Sequence, residues 1–304
     1  MKDFDVSVLI PVYNAERYIE KAVNSALAQP ETREVILVED GSPDQSLSVC
    51  KELVANNPKV KLYRHPGGEN RGAGASRNLA IEMSSHEYIA FLDADDYFLP
   101  NRFEKTKSVF RHFPNIDGVY ECIGTEFLNA QAKAAYQLKN RSILTTVTRK
   151  DIPTHELFEE LIIQKHGYFS LDGLTLKRSS VSKNFLFDPT LRIAQDTDFI
   201  LRLAQKKSLL PGNLDNPVSL RGVHGQNRTL VNEKVLISKH QFSRLWFHRI
   251  RENNWSKKVN FHLLLRYSIA TARLKTISKA QWPLAISNVI INIFSNPWII
   301  KKIL

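Results

Sequence analysis

An α/β fold built on a doubly wound sheet, with a helical C-terminal extension, is what this 304-residue sequence predicts. Three observations lead there. Short apolar runs alternate with segments of helical period over the first 110 residues. Polar, often glycine-bearing stretches follow each run. From about residue 231 the pattern becomes helical, basic and aromatic-rich.

The elements follow in order. Val6–Ile10 is continuously apolar, as suits a strand buried on both faces of a parallel sheet. Ala15–Gln29 reads as a helix, with Ile19, Ala22, Val23, Ala26 and Leu27 at helical spacing. Val35–Val38 is the second strand. Ser42-Pro43-Asp44-Gln45 then has the form of a helix start, with Ser42 as N-cap, Pro43 at the first helical position and Gln45 closing a capping box. Lys59–Tyr63 is a third strand, Ala75–Met83 a helix and Tyr88–Leu92 a fourth strand. Gly118–Phe127 and Ser142–Val147 read as further strands, and Asp196–Lys206 as a helix with Phe199, Ile200, Leu203 and Ala204 on its apolar face.

Composition narrows the class. Hydrophobic residues at 43% and charged ones at 24% suit an ordered protein. Cys50 and Cys122 are far apart and lack CxxC spacing, which argues against a disulfide framework or a cysteine zinc site and suits a reducing compartment. The opening MKDFDVSVLIP puts acids before a short apolar run, unlike a signal peptide. The net charge of +11 is unevenly placed. Residues 1–230 carry 29 basic and 29 acidic residues, whereas residues 231–304 carry 13 basic residues against Glu233 and Glu252. Nucleic acid or an anionic membrane surface could answer such a tail. No nucleic-acid recognition motif accompanies the charge, so the membrane surface is the expected partner.

The chemistry gathers where strands stop. The first ends in Pro11-Val12-Tyr13-Asn14, the second in Glu39-Asp40-Gly41-Ser42, the third leads to Asn70-Arg71-Gly72-Ala73-Gly74-Ala75-Ser76-Arg77-Asn78, and the fourth to Asp93-Ala94-Asp95-Asp96. In a doubly wound sheet these segments share one edge. The glycines are not a dinucleotide fingerprint, because they follow the third strand and Arg77 stands at the last glycine position; their expected use is close approach of backbone to a ligand. Three acids within four residues suit a hard cation, which takes few protein carboxylates when phosphate oxygens complete its shell. Asp93 and Asp95 would share a face if the segment stays extended; the alternative is a helix start with Asp95 or Asp96 as N-cap.

VSVLIPVYNAERYIEKAVNSALAQ, VILVEDGSPDQS, NRGAGASRNLAI and YIAFLDADDYFLPNRFEK together resemble family 2 glycosyltransferases of the inverting, GT-A (Rossmann-like) type that builds bacterial surface polysaccharides. The resemblance covers roughly residues 5–230. It implies a catalytic domain over 1–230, with nucleotide-sugar binding in about 1–115 and the acceptor side in 116–230, followed by the basic helical region 231–304. It implies a nucleoside-diphosphate sugar donor, a UDP-sugar in the commonest pattern, with Mg²⁺ or Mn²⁺ and a glycan or lipid-linked acceptor. Pro11, Tyr13 and Asn14 match the nucleoside pocket, and Glu39 and Asp40 the acids that read the base. Arg77 and Asn78 match the nucleotide-proximal helix start. Asp93 matches the ribose side of the acid-x-acid motif, Asp95 its metal ligand, and Asp96 an added acid beside the metal. Asp196 matches the catalytic base; the residue before it is Gln195 where the family more often has Glu. Arg221-Gly222-Val223-His224 resembles the closing Arg-x-x-His segment, with His224 on the metal or the diphosphate.

Rival classes are a nucleotidyltransferase and a non-catalytic sugar-nucleotide-binding protein. The first needs a basic triphosphate loop after the first strand, where this chain has Val12-Tyr13-Asn14-Ala15. Ala280–Ile300 carries no charge over 21 positions, with Trp282 and Trp298 near its ends and Lys279, Lys301 and Lys302 beside it. Its prolines and asparagines make a poor membrane span. An interfacial helix, or a segment packed on the catalytic domain, fits it, and peripheral attachment to the cytoplasmic face of the cell membrane is the expectation.

Overall fold

A computed structural model describes residues 4–137, 142–181, 185–224, 233–275 and 281–303. Its strands are β1 (Val6–Val12), β2 (Thr32–Glu39), β3 (Val60–Arg64), β4 (Tyr88–Phe91), β5 (Tyr97–Phe98), β6 (Gly118–Tyr120), β7 (Gly124–Phe127), β8 (Leu174–Lys177), β9 (Leu209–Pro211) and β10 (Ser219–Val223). Its helices are α1 (Ile19–Leu27), α2 (Ser46–Asn56), α3 (Ala73–Met83), α4 (Glu104–His112), α5 (Ala130–Gln137), α6 (Leu157–Ile163), α7 (Gln195–Lys206), α8 (Glu233–Arg249), α9 (Lys257–Lys275), α10 (Gln281–Ser295) and α11 (Ile300–Ile303).

The main sheet runs β3-β2-β1-β4-β8-β6-β9. Its first four strands are parallel, and β8 lies antiparallel between β4 and β6. All seven residues of β1 are buried, which is why its sequence shows no alternation. The one polar side chain inside that strand, Ser7, donates to Glu34 of β2 at 2.7 Å. Burial works to raise the Glu34 carboxyl, but hydrogen bonds from Lys61, Ser7 and Ser85 hold it down to about 2. A second sheet, β5-β10-β7, stands beside the carboxyl ends of the parallel strands and carries part of the site.

Three sequence expectations change. The helix after β2 starts at Ser46, not Ser42. Ser42 Oγ accepts from the Asn14 N–H, Asp44 from the Glu16 N–H and Ser46 Oγ from the Ala15 N–H, while Glu16 accepts from the Gln45 N–H. The polar groups that look like a local capping box instead join two loops about 30 residues apart, and they shorten α1 by holding Ala15–Tyr18 as a turn. The expected strand 118–127 divides between the two sheets, because the Glu121 N–H bonds the Gly173 carbonyl and the Cys122 N–H bonds the Asn213 carbonyl. Residues 142–147 give only isolated bridges, Ile123 with Thr145 and Val147 with Gly167.

The C-terminal helices close the same core as the sheet. Trp246, Phe247, Leu264 and Ile299 are buried in one cluster with Leu9, Phe91, Phe187 and Phe199. On α10, Asn288 is buried and Val289 and Ile293 pack against that cluster. Trp298 is half-buried against Phe247, with ring centroids 5.7 Å apart, so it is a packing residue rather than an interfacial anchor. Among the described residues no helix is long and apolar enough to cross a membrane.

Candidate active site

A cleft of about 600 Å³ opens at the carboxyl ends of the parallel strands. Ten of the twelve residues singled out from the sequence line it: Pro11, Tyr13, Asn14, Asp40, Arg77, Asp93, Asp95, Asp96, Asp196 and His224. Glu39 and Asn78 do not. Glu39 is fully buried, accepting from Arg64 Nε at 2.7 Å and from the Ser42 N–H. Against the effect of burial, those bonds hold its carboxyl below the ordinary range. Asn78 spends both ends of its amide on the backbone of Phe187, at 2.9 and 2.8 Å, and so ties α3 to the loop before α7.

At one end of the cleft Asp40 is buried, its two carboxylate oxygens accepting from the Arg71 N–H (2.7 Å) and the Gly72 N–H (2.9 Å). Each carboxylate oxygen keeps a second lone pair. Pro11 and the exposed ring of Tyr13 border the same end. The glycines here serve a purpose the sequence did not show. Gly72 has φ +90°, and a Cβ there would meet the Arg192 guanidinium; a Cβ at Gly74 would collide with the Gln195 amide oxygen. What approaches the glycine backbone is the protein's own segment 192–195.

The acid segment does not stay extended and does not start a helix. The Asp96 N–H bonds the Asp93 carbonyl at 3.0 Å, so the chain turns and Asp93 meets Asp96 rather than Asp95. Asp93, Asp96 and Asp172 bring carboxylate oxygens within 4.8 Å of one another. Asp172 Oδ1 accepts from the Asp93 N–H at 2.9 Å, and Asp96 Oδ1 accepts from the Gly222 N–H at 2.9 Å. Burial, then the charges of Asp172, Asp95 and Asp93, push the Asp96 carboxyl well above its ordinary range. Burial and Asp93 likewise raise Asp172 to about 6. Arg77, buried beneath this turn, donates from Nη2 to Asp93 Oδ1.

Asp95 points elsewhere, its Oδ2 lying 3.2 Å from His224 Nε2. The His224 ring stacks on Tyr18 with centroids 4.8 Å apart, which fixes its plane. Asp95 Oδ2 and His224 Nε2 thus offer one oxygen and one nitrogen on the cleft wall, a donor pair that fits a divalent cation when phosphate oxygens complete its shell. Residues 225–228 of the closing segment lie outside the described residues.

Across the cleft, Ala194 adopts φ 63° and turns the chain into α7, whose first turn carries Asp196. Asp196 is exposed and accepts from the Thr197 N–H at 2.8 Å. The helix N-terminus favours its charge. Arg192, from the same loop, donates to Asn70 Oδ1 at 3.2 Å, and Asn70 donates to the Asp40 carbonyl at 3.0 Å, so the two walls of the cleft are joined at their rim. Sequence reasoning gave no role to Asp172, Arg192 or Tyr18. A lone acid before glycine, as in Leu171-Asp172-Gly173, reads as a turn, and no local signal marks it.

The model of the glycosyl transferase family 2 matches residues 7–167. The minor teichoic acid biosynthesis protein GgaA of Bacillus subtilis is 29% identical over 210 residues, 66% of this chain and 43% of that protein. The chain matches only 22% to 43% of the length of four such curated relatives. Among solved structures, S. aureus TarS 1-349 in complex with UDP-GlcNAc superposes with a TM-score of 0.64 at 17% identity, covering 93% of this chain and 79% of that one. The mannosyltransferase PcManGT from Pyrobaculum calidifontis, in complex with GDP-Man and Mn²⁺, gives 0.55 at 18%, covering 96% and 74%.

Proposed function

The chain belongs to glycosyl transferase family 2 and has the GT-A fold, and from that premise we propose that it transfers a sugar, with inversion, from a nucleoside-diphosphate sugar to a hydroxyl of a glycan or lipid-linked acceptor. The observation that carries this reading is one cleft in which Asp40, Asp93, Asp95 and Asp96 line the side of the parallel strands and Asp196 stands across from them. A UDP-sugar fits, since Asp40 has a lone pair for the N3–H of uracil and Tyr13 offers a ring beside it. The likeness to GgaA, a minor teichoic acid biosynthesis protein, supports an acceptor in cell-surface polymer synthesis.

The acceptor hydroxyl gives its proton to Asp196 as its oxygen attacks the anomeric carbon, and the bond from that carbon to the diphosphate breaks. Asp95 and His224 would hold Mg²⁺ or Mn²⁺, which when bound offsets the negative charge of the diphosphate. Arg77 keeps Asp93 in place, and the Asp93–Asp96 turn aims Asp95 toward His224.

The test is product analysis with a panel of nucleotide sugars and Mn²⁺. Release of the nucleoside diphosphate is expected, and EDTA or Asp95→Ala should lower turnover by about 100-fold. Pyrophosphate as product would mean nucleotidyl transfer; unchanged turnover with EDTA would remove the metal from the scheme.

Asp172 yields a second expectation. Asp172→Asn keeps an oxygen for the Asp93 N–H, whereas Asp172→Ala loses it and frees the turn. The Ala variant should raise the donor KM about tenfold and the Asn variant less than about threefold. Equal effects in steady-state kinetics would assign the role to the charge instead of the turn.

A further inference from the structure

We infer that the outer face of α10, centred on Ile290 and Ile291, seats the chain on an anionic lipid surface. This deepens, and rests on, the reading of a lipid-linked acceptor. Ser287, Ile290, Ile291 and Ser295 are all exposed, and their spacing puts them on one side of the helix. The other side is engaged: Val289 and Ile293 pack against the core, and beside them Asn292 donates to Ser268 Oγ of α9 at 3.0 Å. Surface helices ordinarily put charge outward, yet residues 280–300 contain no Asp, Glu, Lys or Arg. Ile290 and Ile291 are each 50% exposed.

The surroundings extend the patch. Asn260 of α9 donates to the Lys302 carbonyl at 2.9 Å, which brings the start of α9 level with α11. Phe261 and Ile300, both largely exposed, therefore sit at the same level of this helical layer. Lys257 and Lys301 are exposed at that level too, as is Lys258, whose Nζ lies 3.9 Å from Glu159 Oε1. Of the eleven large apolar residues exposed among the described residues, six fall in this last quarter of the chain, where the whole net charge of +11 also lies. Exposed apolar side chains with lysines at one end of the same helical layer suit a surface of headgroup phosphates. A second copy of this chain would bring two strongly basic faces together, whereas acidic lipid offsets that charge.

The test is flotation of the full chain with phosphatidylcholine vesicles and with vesicles of equal parts phosphatidylcholine and phosphatidylglycerol. The native chain should float with the acidic vesicles. The double variant Ile290→Asn, Ile291→Asn leaves the charge unchanged and should bind them at least about tenfold more weakly. Its thermal stabilisation by donor and its release of nucleoside diphosphate should match the native chain. Native protein that ignores acidic vesicles refutes membrane seating altogether. Native protein that floats, with the variant floating equally, refutes this face alone. A native dimer that the variant converts to monomer in size-exclusion chromatography would give the face to a second copy instead. Loss of donor turnover in the native chain would count against the proposed reaction and not against the face.

Discussion

Asp196→Asn is expected to lower sugar transfer by about 10³-fold at saturating donor while leaving donor affinity within about twofold. Asn has nearly the size of Asp and keeps an oxygen for the Thr197 N–H, so the first turn of α7 should be unaltered. Asp196 is exposed, and the exchange leaves no buried group without a partner. What changes is the ability to take a proton from the attacking hydroxyl. Transfer rate measured against acceptor, beside donor affinity measured by calorimetry, separates the two effects. Near-native transfer would move the base elsewhere on the cleft wall. Weakened donor binding with unchanged maximal rate would mean that Asp196 orients the donor and takes no part in proton transfer.

The strands of the parallel part of the sheet were legible because β1, β2 and β4 are largely buried, so their runs are continuous and their ends abrupt. The positions of the site acids were legible for the same reason, since polar residues directly after such runs must reach the sheet edge. What was not legible was where each polar group spends its bonds. Ser42 and Asp44 fit a local capping rule, but their acceptors serve Asn14 and Glu16 across the sheet edge. The spacing of Asp93 and Asp95 suggests one face; the hydrogen bond from the Asp96 N–H makes Asp93 and Asp96 neighbours. Glu39 and Asn78 lie beside cleft residues in sequence and yet point into the protein, because Arg64 and Phe187 occupy them. Apart from the Asp93–Asp96 turn, these choices depend on contacts between segments 25 to 109 residues apart. A local pattern cannot contain them.

Asp198 ties the C-terminal helices to α7. This fully buried carboxylate, two residues after Asp196, accepts from Arg202 Nε (2.7 Å), Arg249 Nη1 (2.9 Å) and Trp246 Nε1 (3.1 Å). Arg202 also donates to the Leu186 carbonyl at 2.7 Å, next to the Phe187 backbone that Asn78 holds. A chain of bonds thus runs from α8 through α7 to α3, which carries Arg77 and through it Asp93. Asp198→Ala would leave two guanidinium groups and an indole N–H short of their shared acceptor, and it should destabilise the protein by about 3 kcal/mol in urea unfolding. Truncation after residue 230 should be worse. It removes Trp246, Phe247 and Leu264 from a core that also contains Phe158 and Phe199, so residues 1–230 should not fold as an independent catalytic domain. A soluble 1–230 fragment with native donor binding would overturn this and make the C-terminal helices an appendage. Loss of cooperative folding in the fragment, together with reduced transfer by Asp198→Ala at temperatures where it remains folded, would establish them as part of the scaffold that places the base.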